Sequence, residues 1–105
     1  MQVEFEDLDL QEYAETGQSK KFKKYVQDKK FTTSLIRVLT TMKSVADVSK
    51  LKEYSWLHYE KLKYSDNSSV RIMNGRVERL IFEEREEGIN VLIIEIDDTH
   101  YGKKK

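Results

Sequence analysis

The 105-residue sequence predicts an α+β fold, with helices gathered ahead of a mainly antiparallel sheet. Three observations carry that prediction. Phe31, Leu35, Val38, Leu39 and Met42 recur at steps of three and four, which gives one helix an apolar face. Asn74-Gly75 stands between two apolar-rich runs, the strongest short-range sign of a β-hairpin. The run "INVLIIEI", residues 89–96, is rich in Val and Ile and apolar on both faces, the pattern of a strand inside a sheet.

Taken in order, "QVEFE" alternates polar and apolar residues and reads as a short strand with Val3 and Phe5 inward. Asp7 is a candidate N-cap for a short helix whose stripe is Leu10, Tyr13 and Ala14, and Gly17 sits where a left-handed C-terminal glycine belongs. The main helix is expected from about Asp28 to Lys43. Ser44 with Asp47 fits a capping box, restarting the chain into a short helix with Val45, Val48 and Leu51. "WLHYEKLKY", residues 56–64, alternates as a strand, and Asp66-Asn67-Ser68 reads as a turn. The hairpin strands follow, then a loop at 84–88 and the last strand. The sum is a short N-terminal strand, two or three helices, and a four-stranded sheet packed on those helices, with its other face open.

The length suits one domain, 1–102, with a basic tail at 103–105. No cysteine is present, which excludes disulfides, a thiolate zinc site and a thiol nucleophile. No apolar run approaches the roughly 20 residues of a bilayer span, and Met1 opens no secretory signal. A cytoplasmic protein with no membrane contact is therefore expected. Basic and acidic side chains balance at 19 each, but unevenly along the chain. Glu4 to Glu15 holds only acids, whereas Lys20, Lys21, Lys23, Lys24, Lys29 and Lys30 face Asp28 alone. Such blocks create local fields, though a solvated helix face is the simpler account of them.

The hairpin "SVRIMNGRVERLIF", residues 69–82, carries Arg71, Arg76 and Arg79. A two-residue Asn-Gly loop would set Val70 against Arg79 and turn a guanidinium into the core. A three-residue loop, 74–76, sets Arg71 against Arg79 and Val70 against Leu80. Val70, Ile72, Leu80 and Phe82 then face the helices, and both arginines stand on the open face. Burying an unpaired guanidinium costs several kcal/mol, so the longer loop is expected, with Arg76 left as a turn residue. Facing like charges are unfavourable. Either an acid on the adjacent strand, Asp97 or Asp98, offsets them or an anion is their guest.

Beyond the last strand, Asp98, His100 and Tyr101 bring together a carboxylate, an imidazole and a phenol. Cleavage of RNA by its own 2′-hydroxyl needs such an inventory: a base, an acid, and a guanidinium to hold the pentavalent phosphate. His58 and His100 with nearby acids show no metal-ligand spacing, so no metal or other cofactor is expected.

In layout, "LDLQEYAETGQSKK", "LHYEKLKY", "SSVRIMNGRVERLIFEE" and "IIEIDDTHYG" resemble the HigB branch of the RelE/ParE superfamily of toxin–antitoxin toxins. The resemblance spans nearly the whole chain and rests on short motifs in order: "S-I-R-V", a strand "W-R-I/L-x-F", and an ending such as "D-Y-H". It implies that Arg71 and Arg79 are the two motif arginines, Arg79 stabilising the scissile phosphate. Asp98 and His100 fall on the outer positions of the ending, with Tyr101 beside them in place of the usual tyrosine, where Thr99 stands. His58 resembles the histidine of an "L-H-P-L-K" segment, with Lys61 and Lys63 on its strand.

The function so implied is a ribosome-dependent mRNA endonuclease, the toxin of a type II toxin–antitoxin system, cutting through a 2′,3′-cyclic phosphate without metal. Lys20, Lys21, Lys23, Lys24, Lys61 and Lys63 would contact ribosomal RNA or mRNA phosphates. A HigA-like antitoxin would hold the otherwise monomeric toxin inactive. Two other readings stand beside it: a ParE-like inhibitor of DNA gyrase, and a catalytically decayed protein that only binds its antitoxin.

Overall fold

A computed structural model describes residues 1–63 and 65–99. In chain order the elements are β1 (Gln2–Phe5), α1 (Leu8–Thr16), α2 (Lys23–Val26) and α3 (Lys29–Ser44), followed by β2 (Glu60–Lys61), β3 (Asn67–Arg71), β4 (Arg79–Arg85) and β5 (Asn90–Asp97). Short 3-10 turns at Val48–Glu53, Ser55–Leu57 and Glu86–Gly88 join them. The sheet order is β1-β5-β4-β3-β2, with β1 parallel to β5 and the remaining pairs antiparallel. The fold is thus α+β as expected. The N-terminal strand enters the same sheet, making five strands among the described residues rather than four. β5 lies inside the sheet, between β1 and β4.

The helix boundaries follow local chemistry. The Asp7 carboxylate accepts from the Asp9 amide at 2.9 Å, and Gly17, at φ +77°, donates its N–H to the Tyr13 carbonyl at 2.8 Å. Asp28 caps α3 by accepting from the Phe31 amide at 3.1 Å. Phe31, Leu35, Val38, Leu39 and Met42 are all buried, packed with Leu10 and Tyr13 of α1 and with Val70, Ile72, Leu80, Phe82, Val91 and Ile93. Each such side chain contributes roughly 1.5–3 kcal/mol on burial, so this layer sets which sheet face is inner.

Three expectations are corrected in detail. Ser44 is the last residue of α3 and its hydroxyl donates to the Thr41 carbonyl, while Asp47 itself caps the following 3-10 turn by accepting from the Ser49 amide. The strand expected over 56–64 shrinks to Glu60–Lys61, because a 3-10 turn buries Leu57 and His58 takes a left-handed backbone, φ +47°. Asn67 and Ser68 belong to β3 rather than to a turn, and Ser68 is fully buried. The short helix α2 arises within the lysine block, where Tyr25 stacks on Phe31 with centroids 4.5 Å apart.

The hairpin adopts the register that hides Val70 and Leu80 and sets Arg71 directly opposite Arg79. The ladder ends at that pair. The expected three-residue loop, 74–76, is corrected: the Arg76 amide donates to the Met73 carbonyl at 3.1 Å, closing a tight Asn74-Gly75 turn in which Gly75 has φ +85°. Residues 76–78 run outside the ladder back to Arg79, which is how the register survives the short turn. Arg76 does more than occupy the turn. Its Nε and Nη2 donate to both oxygens of Glu78, at 3.2 and 3.0 Å, and its Nη1 donates to Asp28 Oδ2 at 2.8 Å. The guanidinium also lies over the Phe31 ring, 5.1 Å from its centroid. Glu78 is 7% exposed, a burial that only a bound counter-charge makes tolerable.

Arg76→Ala is therefore expected to lower unfolding stability by about 1–3 kcal/mol, since it strands a buried carboxylate. Adding Glu78→Leu should restore most of that loss. Urea unfolding of the single and double variants checks both outcomes.

Candidate functional site

On the sheet face opposite α3, strand pairing lines up one row: Arg71 of β3, Arg79 of β4 and Asp97 of β5. The next row is Glu60, Ser69, Ile81 and Glu95. A bulge between Ile81 and Phe82 separates this end from the rest of β4 and β5. Ile81 and Ser69 are buried here although neither joins the core.

Arg79 is the best-held member, with its side chain 15% exposed. Nε donates to Ser69 Oγ at 2.8 Å, Nη2 donates to the His58 carbonyl, and Glu60 Oε1 stands 3.8 Å from Nη2. The bond to His58 reaches a residue whose backbone is left-handed, a conformation that costs a non-glycine residue about 1–2 kcal/mol unless its surroundings fix it. His58 is itself exposed. Arg71 is half-buried and donates from Nη1 to Asn74 Oδ1 at 3.0 Å. The arrangement presents two guanidinium groups across adjacent strands, one pinned by Ser69 and the His58 carbonyl and one less constrained. Chemically that suits an oxyanion such as a phosphodiester.

The remaining sequence-predicted residues are placed differently. Asp98 turns to the helix side, where its Oδ2 accepts from Lys24 Nζ at 3.2 Å. Asp97, not Asp98, shares the arginine row, and its Oδ1 accepts from the Thr99 amide and hydroxyl at 2.9 and 2.7 Å. His100 and Tyr101 lie outside the described residues. Lys21 pairs with Asp7, and Lys24 also lies over the Tyr25 ring, 5.0 Å from its centroid. Lys20 and Lys23 line a cavity of about 740 Å³ together with Asp9 and Glu12. Lys61 lies 3.8 Å from Glu84, and Lys63 is exposed.

Two ionic centres escaped the sequence reading. One is the Arg76 clamp, beside which burial, then the charges of Glu78 and Asp98, push the Tyr25 phenol well above its ordinary value. The other is Glu84, which accepts from the hydroxyls of Ser68 and Tyr59. Burial would raise the Glu84 carboxyl, but those hydrogen bonds and the charges of Lys61 and Lys52 outweigh it and hold the group below the ordinary value. The Glu84 centre does not advertise itself in sequence, because Tyr59, Ser68 and Glu84 come from separate segments, and the clamp's third member, Asp28, is likewise distant from Arg76.

No protein-family model matches the chain, and no curated protein or solved structure matches it. Among the described residues, no helix is long and apolar enough to cross a membrane, and no group of three or more His, Cys, Asp or Glu side chains is placed to hold a metal ion.

Because the folded pKa of Glu84 lies below its reference value of 4.5, its stabilisation is full above that value. It is lost as pH falls through the folded pKa. Ser68→Ala removes one donor, so stability near neutral pH should fall by about 1–3 kcal/mol and the acid-side loss should shrink. Urea unfolding repeated from about pH 7 down to about pH 3 reads both effects. Parallel pH curves for the two proteins would remove Ser68 from the account.

Proposed function

We propose that this chain is the toxin of a type II toxin–antitoxin system, a ribosome-dependent mRNA endonuclease of the HigB type. The observation that supports it most is the direct pairing of Arg71 with Arg79 on the sheet face away from α3, with Arg79 held by Ser69 and His58. Two cations facing each other across β3 and β4, one pinned and one less constrained, favour the scissile phosphate as guest. In this reading Arg79 stabilises charge on the pentavalent phosphorus, where a donor of this kind is worth about 10²–10³ in rate. Arg71 orients a neighbouring oxygen. His58 and His100 carry protons to and from the 2′-hydroxyl and the leaving oxygen, with Tyr101 beside them. The chemistry yields a 2′,3′-cyclic phosphate and calls on no cofactor. Lys20, Lys23 and Lys63 reach RNA phosphates, and a HigA-like antitoxin keeps the cytoplasmic, monomeric toxin silent.

One observation favours a second reading. Arg79 donors point to the protein's own Ser69 and His58, and Asp98 bonds Lys24 rather than the arginine face. A protein that only binds, either as a gyrase inhibitor of the ParE kind or as an antitoxin-binding relic, would tolerate this arrangement equally well.

Inducing the chain in growing cells, with mRNA 5′ ends mapped and gyrase assayed, separates the readings. The proposal expects growth arrest with new 5′ ends inside coding sequence, unimpaired gyrase, and a loss of cleavage of at least about 100-fold in Arg79→Ala. Toxicity with intact mRNA would sink it.

A further inference from the structure

A second surface lies on α3, round the sheet edge from the arginine row. Lys30, Thr33, Ser34 and Arg37 recur at three- and four-residue steps and form one flank of the helix, beside its buried stripe. Between this face and the β3–β4 turn runs an open trough. One part, about 400 Å³, is lined by Lys29, Lys30, Thr33, Ser34 and Met73. Its continuation, about 90 Å³, shares Ser34 and Met73 and adds Arg37, Trp56 and Asn74.

Three features set this trough apart. Its charged lining is wholly cationic, whereas the cavities at Lys20 and at Glu84 include acids. Lys29, Lys30, Arg37 and Arg71 take part in no ion pair among the described residues, unlike Lys21, Lys24, Lys61 and Arg76. Finally, Arg37 lies over the Trp56 indole at 4.2 Å from the ring centroid, with Tyr54 edge-on at 6.2 Å. Cations set along a groove with a partly exposed aromatic stack are what single-stranded nucleic acid requires: phosphates follow the lysines, and a base extends the indole–guanidinium stack. Asn74, bonded to Arg71, joins the end of the trough to the arginine row.

We infer that the trough between α3 and the β3–β4 turn binds single-stranded RNA, with Lys29 and Lys30 on phosphates and the Arg37–Trp56 stack on a base, leading the strand toward Arg71. The inference rests on the nuclease reading for its direction but not for its existence.

Trp56 is the only tryptophan, so its fluorescence reports this site alone. The purified full chain is titrated with a mixed-sequence RNA of about ten nucleotides, between about 50 and 200 mM salt. Saturable quenching is expected, weakening as salt rises. Lys29→Ala with Lys30→Ala should flatten the log–log salt slope by roughly 1.4, the share of two phosphate contacts on a single strand. Arg37→Ala should weaken binding severalfold, while Lys43→Ala, at the far end of α3, should bind as the parent does. The substituted side chains are exposed, and circular dichroism confirms that each variant is folded. Absence of saturable quenching at low salt, or an unaltered slope in the double variant, overturns the inference. So does equal quenching by polyglutamate, which would make the trough a seat for an acidic protein segment. Quenching without any mRNA cleavage on ribosomes would support the trough and remove the nuclease reading; cleavage without quenching would do the reverse.

Discussion

The clamp that Arg76 places on Asp28 and Glu78 is the constraint on which the rest of this fold turns. It joins the N-terminus of the main helix to the one irregular stretch of the hairpin. The hairpin closes through a tight Asn-Gly turn, yet its strands do not pair in the register that such a turn alone would impose. Burial of Val70 and Leu80 selects the register. The clamp then fixes the loop that this register leaves over. Without it, Glu78 would be a carboxylate driven into the helix-facing side with no counter-ion. With Glu78 buried, the clamp adds little net stability over apolar residues, but breaking it is costly. It is best understood as locking the loop into the one register that core burial selects.

That register has an electrostatic consequence. Placing Arg71 against Arg79 opposes two like charges, and the surrounding residues offset it. Asp97 and Glu60 flank the row, and Arg79 is turned into Ser69 and the His58 carbonyl. One guanidinium is thereby rigid and largely covered, while the other remains half-exposed beside the turn. Rigid placement of a cation is what a site for a transient phosphorane needs, since reorganisation during reaction is then small. The same sheet end connects through Asn74 to the cationic trough on α3, so anion-directed groups are continuous from helix to sheet face.

Much of the architecture was legible because it depends on short-range pattern. The α3 stripe, the Asp7 and Gly17 caps and the interior character of β5 are each decided within a few residues of one another. The hairpin register was legible for a different reason: only one pairing keeps Arg79 out of the core. The same pairing places Glu78 beside Ile72 on the helix side, and that buried acid was the available sign that Arg76 had a partner to serve. What was not legible depends on contacts between distant segments. Residues 56–64 alternate like a strand, yet Leu57 enters the core through a 3-10 turn and Tyr59 reaches Glu84 on β4. The lysine block read as a free basic face, but Lys21 and Lys24 meet acids from either end of the chain. The resemblance of the ending puts Asp98 in the site, whereas strand alternation gives the arginine face to Asp97, the other acid that the sequence offers there.

The central claim is that the arginine row holds a phosphodiester for attack by its own 2′-hydroxyl. The most direct measurement is the chemistry of the cut end, taken from purified protein and ribosomes programmed with a defined mRNA. The account predicts fragments ending in a 2′,3′-cyclic phosphate, formed only when ribosomes are present. Intact mRNA, or fragments ending in a free 3′-hydroxyl, would contradict it.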